Sequence, residues 1–179
     1  AADARPDYAA FNPRILLPNG HQFQRRMSRL LSPELNEKLR LPLTQDQDVE
    51  MLSGAALFCR RADFEAIGGF DENIFLFCED DDLSLRLRQN GKSLGYVHDA
   101  VVEHDGGAST ANNPSLEELK AYHFMKSNRY TMCKHAIAFE RRYQLLQCGL
   151  KFAGGLLALN RHQQAKYRGY LRALIETKA

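Results

Sequence analysis

The sequence has no Cys-x-x-C pair, no apolar run of transmembrane length, no low-complexity tract and no internal repeat. Its four cysteines, Cys59, Cys78, Cys133 and Cys148, stand far apart. That spacing argues against a zinc ribbon or a secreted disulfide scaffold and fits a reducing compartment. They read as buried thiols, with Cys59 and Cys78 set among Leu and Phe. No signal peptide is visible, and no segment reads as a membrane span. What is present is ordinary for a globular chain: 179 residues, 44% hydrophobic and 26% charged, enough to bury one continuous core. The chain opens with Ala1-Ala2-Asp3 rather than Met and reaches strand-like sequence within a few residues. The expectation is a piece of a longer protein.

Net charge is only +2, yet residues 1–110 carry 12 Lys and Arg against 18 Asp and Glu, and residues 111–179 carry 12 against 4. The basic tail suggests an anionic partner, either a phosphate-bearing ligand or an anionic membrane surface, and only weakly nucleic acid. The alternative is a helical segment that solvates itself with Lys and Arg. Leu145 to Leu159 is apolar with Lys151 and basic flanks, a pattern that suits either an interface helix or one packed on its own domain.

Along the chain, Tyr8 to Leu17 reads as two strands kinked at Asn12-Pro13, then a turn at Pro18-Asn19-Gly20. Gln22 to Leu43 reads as a mobile excursion with a helical turn or two. Val49 to Cys59 predicts a buried strand broken at Ser53-Gly54, and Arg61 to Ile67 a short helix closed by Gly68-Gly69. Glu79 to Asn90 predicts an amphipathic helix with its acids in the first turn. Leu94 to Val97 and Ala100 to Val102 predict two short strands around His98-Asp99. From Ser115 onward the period is helical, with Ser115 and Glu118 as a capping box and breaks near His135 and Asn160.

The chemistry centres on Glu79-Asp80-Asp81-Asp82. Four adjacent acids repel one another, and a helix N-terminus offsets about 0.3–1 kcal/mol per well-placed acid. Solvent, Arg or metal supplies the rest; Asp82 and Arg86, four apart, pair on a helix surface. A carboxylate held beside a hydroxyl is suited to act as a general base. His104, at a strand end before Asp105-Gly106-Gly107, has the chemistry to ligate a divalent metal beside a leaving diphosphate. An EF-hand is excluded because the sixth position from Asp80 is Leu85 rather than glycine. A zinc-protease site is excluded because the histidines lack i, i+4 pairing.

The ordered set Ser53-Gly54-Ala55-Ala56-Leu57, Arg60-Arg61, Gly68-Gly69-Phe70-Asp71-Glu72, Phe75 to Leu83, Arg86-Leu87, Gly91, Tyr96-Val97 and His104 resembles the second half of family 2, GT-A type glycosyltransferases, particularly rhamnosyltransferase-like members. The likeness covers about Asn12 to Thr110. It implies an α/β fold, the C-terminal portion of a GT-A domain with a small mixed sheet followed by a helical C-terminal region. Residues 1–110 would be the acceptor-side half and 111–179 a helical extension. It further implies a nucleoside diphosphate sugar donor of UDP or dTDP type, a glycan or lipid-linked acceptor, no nucleic acid, a divalent metal (Mn2+ or Mg2+) and inversion. Carried over by position, Asp80 matches the base, Glu79 its partner, His104 the histidine that reaches metal or diphosphate, and Ser53-Gly54 the acceptor side. Gly68, Gly69 and Phe70 read as turn and packing residues. The family's base-recognising acid and Asp-x-Asp have no match upstream, which leaves a chain inactive alone, or a non-catalytic glycan-binding or assembly module, as readings. The expected location is cytoplasmic, with peripheral contact at the cytoplasmic membrane face through the basic helices.

Overall fold

A computed structural model describes residues 3–23, 27–105 and 113–176. The chain forms two compact units, Ala1–Glu72 with Glu79–Gly106, and Asn73–Cys78 with Gly107–Ala179.

The first unit is built on a four-stranded mixed sheet in the order β2-β4-β1-β3. The long strands β1 (Tyr8–Leu16) and β4 (Ser93–Glu103) run parallel at its centre, while β2 (Gln47–Asp48) and β3 (Phe58–Cys59) pair antiparallel at the edges. Three short helices belong to this unit: α1 (Pro33–Lys38), α2 (Arg61–Ala66) and α3 (Glu79–Gln89). Leu83 and Leu87, one turn apart on α3, are fully buried in a cluster with Ala9, Leu52, Leu94 and Tyr96. Gly95 is required by close approach, since a Cβ there would lie 2.6 Å from the Phe11 ring. The mixed α/β architecture with a small mixed sheet is the expected one and is consistent with part of a GT-A fold.

Several local expectations hold because their signals are local. Gly20 turns the chain at φ 77°, Gly68 and Gly69 end α2 at φ 79° and 70°, and Gly91 ends α3 at φ 76°. The long-range ones differ. The splits expected at Asn12-Pro13 and His98-Asp99 do not interrupt β1 or β4. Instead the ladder shifts register, with Pro13 opposite Val97 and Arg14 opposite Val101. The extra β4 residues bulge beside a proline that has no N–H to offer, and the His98 N–H donates to Asp46 at 2.8 Å.

Val49 to Cys59 is not the expected strand. Only Phe58–Cys59 joins the sheet, although Val49, Met51, Leu52 and Ser53 are buried. Side chains take the place of a ladder partner here. The Leu52 N–H donates to Ser84 Oγ at 3.0 Å, and the Ser53 N–H to Asn12 Oδ1 at 2.6 Å. Asn12 Nδ2 donates to the carbonyls of Ser53 (3.0 Å) and Ala56 (2.6 Å). A buried backbone needs its polar groups paired, and distant side-chain atoms supply part of that pairing here.

The second unit holds three helices, α4 (Pro114–Lys134), α5 (Arg141–Leu157) and α6 (Arg161–Glu176), with breaks at the expected places. Asn113, not Ser115, caps α4: its side chain accepts from the Ser115 N–H, and Pro114 fits the first helical position, where no donor is needed. A Cβ at Gly169 of α6 would sit 2.2 Å from the Glu118 carbonyl oxygen of α4, so these backbones approach directly. None of the four cysteines is disulfide-bonded; Cys78 and Cys148 are buried and Cys59 is half-buried, but Cys133 is exposed near the end of α4, contrary to expectation.

Candidate functional site

Helix α3 begins at Glu79, so four carboxylates fall in its first turn, where the free N–H groups and the helix dipole favour negative charge. They then separate by environment. Asp82 is fully buried and paired with Arg86 at 2.7 Å, and Arg86 Nη1 also donates to the Ile67 carbonyl at 2.9 Å. Arg86, oriented by Asp82, therefore ties α3 to the end of α2. Asp80 is half-buried, and each of its oxygens takes one backbone donor: Oδ2 from Gly54 N–H at 2.8 Å and Oδ1 from Asp81 N–H at 3.0 Å. Each oxygen keeps a second acceptor position.

Two further bonds set the depth of Asp80 against the Leu52–Ala56 loop. Its carbonyl accepts from Ser84 Oγ at 2.7 Å, the same hydroxyl that receives Leu52 N–H. Asn12, buried in β1, holds the other end of the loop. Just before α3, Phe77 and Cys78 both adopt left-handed backbone, at φ 65° and 67°. Non-glycine residues pay about 1–3 kcal/mol each for such conformations, and they persist where the surroundings hold them. The Leu76 carbonyl is held by Ser127 Oγ at 2.8 Å, and the Phe77 ring lies 5.9 Å from that of Phe124.

Asp80, Glu79 and Gly54 line an open cleft of about 580 Å³, within the range of small-molecule sites. Phe64 and Phe70, edge-to-face at 5.3 Å, also line it, together with Arg61 and Cys59. Phe70 is thus more than a turn residue: 47% exposed, its ring lines the same cleft as Glu79 and Asp80. Burial, and secondarily Asp63, raise the Cys59 thiol above its ordinary pKa, so it stays protonated at neutral pH and is a poor nucleophile. A second cleft of about 400 Å³, lined by residues such as Phe11, Leu57 and Val102, carries no titratable side chain.

The structure therefore brings Gly54, Glu79 and Asp80 together and places two other anticipated residues elsewhere. Ser53 is buried under the loop, its Oγ 3.3 Å from the Ala55 N–H, so it shapes the loop rather than facing the cleft. His104 lies at the end of β4 with its N–H on the Leu16 carbonyl and its ring 5.7 Å from Phe23, outside the lining of the cleft. Among the described residues no group of three His, Cys, Asp or Glu side chains could hold a metal. Asn12 and Ser84 escaped the sequence reading; the one hint was a polar residue, Asn12, among the apolar residues of a strand.

No family model matches the chain. It is 34% identical over 140 residues to the N-acetylglucosaminyl-diphospho-decaprenol L-rhamnosyltransferase of Mycobacterium tuberculosis, strains CDC 1551 / Oshkosh and ATCC 25618 / H37Rv, which is 69% of this chain and 45% of the relative. It is 38% identical over 93 residues to rhamnosyltransferase WbbL of Escherichia coli K12, covering 52% of this chain and 34% of that protein. The matches thus span less than half the length of these relatives. Within those spans, the chain is homologous to bacterial rhamnosyltransferases.

Proposed function

We propose that this chain supplies the acceptor-activating part of a glycosyltransferase site, with Asp80 as general base. The acceptor hydroxyl oxygen forms a bond to the anomeric carbon as the bond from that carbon to the diphosphate breaks. The hydroxyl proton passes to a carboxylate oxygen of Asp80, and the electron pair of the broken bond leaves with the nucleoside diphosphate. Attack opposite the leaving group inverts the anomeric centre. The observation that carries this reading is the Asp80 carboxylate itself, which lines the cleft and is held by one backbone N–H on each oxygen, leaving a second acceptor position on each to receive a proton.

The names of the relatives favour a rhamnosyl group and a lipid-linked glycan acceptor; the donor in this proposal is a nucleoside diphosphate sugar of UDP or dTDP type, with Phe70 offering its ring to an apolar sugar face. His104 is proposed as the protein ligand of a divalent metal (Mn2+ or Mg2+), and no step above depends on it. No helix among the described residues is long and apolar enough to cross a membrane; a cytoplasmic site of action is part of this proposal. The decisive assay is transfer of labelled sugar from a dTDP or UDP donor by wild type and by Asp80→Asn. The substitution should lower turnover at least about a hundredfold with donor binding intact. Undiminished transfer would remove Asp80 from the role. The exposed Phe70 beside Glu79 also favours a second reading, a glycan-binding module without chemistry. Glycan binding that persists while no nucleotide sugar is turned over, with or without Mn2+, would select it.

A further inference from the structure

Helix α5 exposes far more apolar surface than its packing consumes. Its inner side is set by Cys148 and Gly155, both buried. At about 100° per residue, Tyr143, Leu146, Leu150, Ala153 and Leu157 occupy an outward arc of about 80°, with Leu156 about 60° further round past Gly149 and Arg142. All six are exposed, Leu146 and Leu150 at 63% and 66%. The arc ends in a corner where Leu157 and Leu159 are 89% and 83% exposed. Leu159 holds a left-handed backbone at φ 51°, in the place where a helix end normally carries glycine or asparagine. A strained leucine with its side chain in water has no explanation in the packing of this chain.

The charge around the arc indicates what covers it. Helix α5 has no acid along Arg141–Leu157, and α6 has only Glu176. Arg168 and Arg172 pair with Glu118 of α4, and Arg172 also with Glu176. Arg142, Lys151, Arg161 and Lys166 are exposed and enter no ion pair among the described residues. A second copy docked face to face on this arc would bring two such cationic rims together without acids to compensate. A surface of anionic lipid headgroups over acyl chains matches both the cations and the leucines.

We propose that α5 and the α5–α6 corner form a peripheral docking face for an anionic bilayer, with the leucine arc lying at the level of the headgroups and acyl chain boundary. The inference goes beyond the catalytic reading and does not depend on it. The chain contains no Trp, so Leu157→Trp gives a single emitter at the centre of the contact. With vesicles of phosphatidylcholine and phosphatidylglycerol, the protein should co-sediment and the Leu157→Trp emission should shift to the blue. Phosphatidylcholine vesicles alone, or high salt, should weaken both effects.

Leu146→Asp with Leu150→Asp should reduce vesicle binding at least about tenfold, with unchanged helical circular dichroism. Should that pair unfold, Arg142→Gln with Lys151→Gln, which leaves the apolar arc intact, should cost about thirtyfold. Unshifted emission with protein left in the supernatant at low salt would overturn the proposal. So would a vesicle-free dimer that shields the Leu157→Trp side chain and is abolished by the Asp substitutions, because the arc would then belong to a second copy. Sugar transfer is not the readout, so failure here leaves the Asp80 assignment standing, and the reverse.

Discussion

The two units solve the same problem, a chain segment buried without a regular partner, by opposite means. Around Asp80 the Leu52–Ala56 loop is held by side-chain atoms reaching from β1 and α3: Asn12, Ser84 and Asp80 itself each capture backbone groups of the loop. In α4–α6 the backbones are internally paired as helices, and order comes from close approach, with Gly169 against the α4 backbone and Ala121, Ala165 and Ala173 buried nearby. A loop tied by a few polar side chains can present a backbone N–H, such as that of Gly54, to a carboxylate. A helix interior cannot, because its N–H groups are spent. The candidate site therefore lies in the first unit, while the second offers surface.

This contrast breaks most visibly at Gly169. Gly169→Val places a Cβ where the Glu118 carbonyl oxygen and the Tyr122 nitrogen lie within 2.2 Å and 2.9 Å, and neither is the flexible end of a side chain. The expected loss is about 3 kcal/mol. Hydrogen exchange should show amides of α4 and α6 losing protection while those of β1 and β4 keep theirs. Uniform loss across both units would mean that they unfold as one and that the contrast has no energetic content.

The complementary break is Asn12→Leu, close to asparagine in volume but unable to bond. It leaves the Ser53 N–H and two carbonyls without their partner. A cost of about 2 kcal/mol is expected. Exchange protection should fall at Ser53 and Gly54 and remain in α4–α6, and sugar transfer should fall through displacement of the Gly54 donor. A smaller step of the same kind is Ser84→Ala, expected to cost about 1 kcal/mol by releasing the Leu52 N–H and the Asp80 carbonyl. An Asn12→Leu protein with wild-type protection at Ser53 and Gly54 would show that the loop is ordered by its apolar contacts instead.

These same residues mark where sequence reading stops. The acids of α3, the glycine endings of α2 and α3 and the three C-terminal helices were legible because their signals lie within one or two turns of the chain. The ties of Asn12 and Ser84 to the loop span 41 and 32 residues, and no local pattern announces them. Val49 to Cys59 looked like a strand because apolar content reports burial, and burial here comes without a ladder. Phe70 was read as packing because a ring after two glycines carries no sign of facing a cleft. Leu145 to Leu159 was recognisably apolar, but only the helix position of each residue separates the buried Cys148 and Gly155 from the exposed Leu146, Leu150 and Leu157.

The smallest expected effect lies in the second unit and concerns protons rather than packing. His123 of α4 has its ring 4.8 Å from Phe75 and 5.2 Å from Tyr122. Burial first, then Lys126 and Arg172, hold its pKa below the ordinary 6.5. Because the folded value is depressed, the unfolded chain takes up this proton first as pH falls. The contribution to stability is therefore complete above pH 6.5 and is lost as pH drops through the lower folded value. Urea unfolding of wild type and His123→Gln at several pH values between about 7.5 and 5 isolates this from other titrating groups. The wild type should lose more stability than His123→Gln over that range, and the difference should appear in the protection of α4 rather than of β1. Parallel pH profiles for the two proteins would show that His123 is as well solvated folded as unfolded, and that the aromatic contacts made by Asn73–Cys78 in this unit do not exclude water from the imidazole.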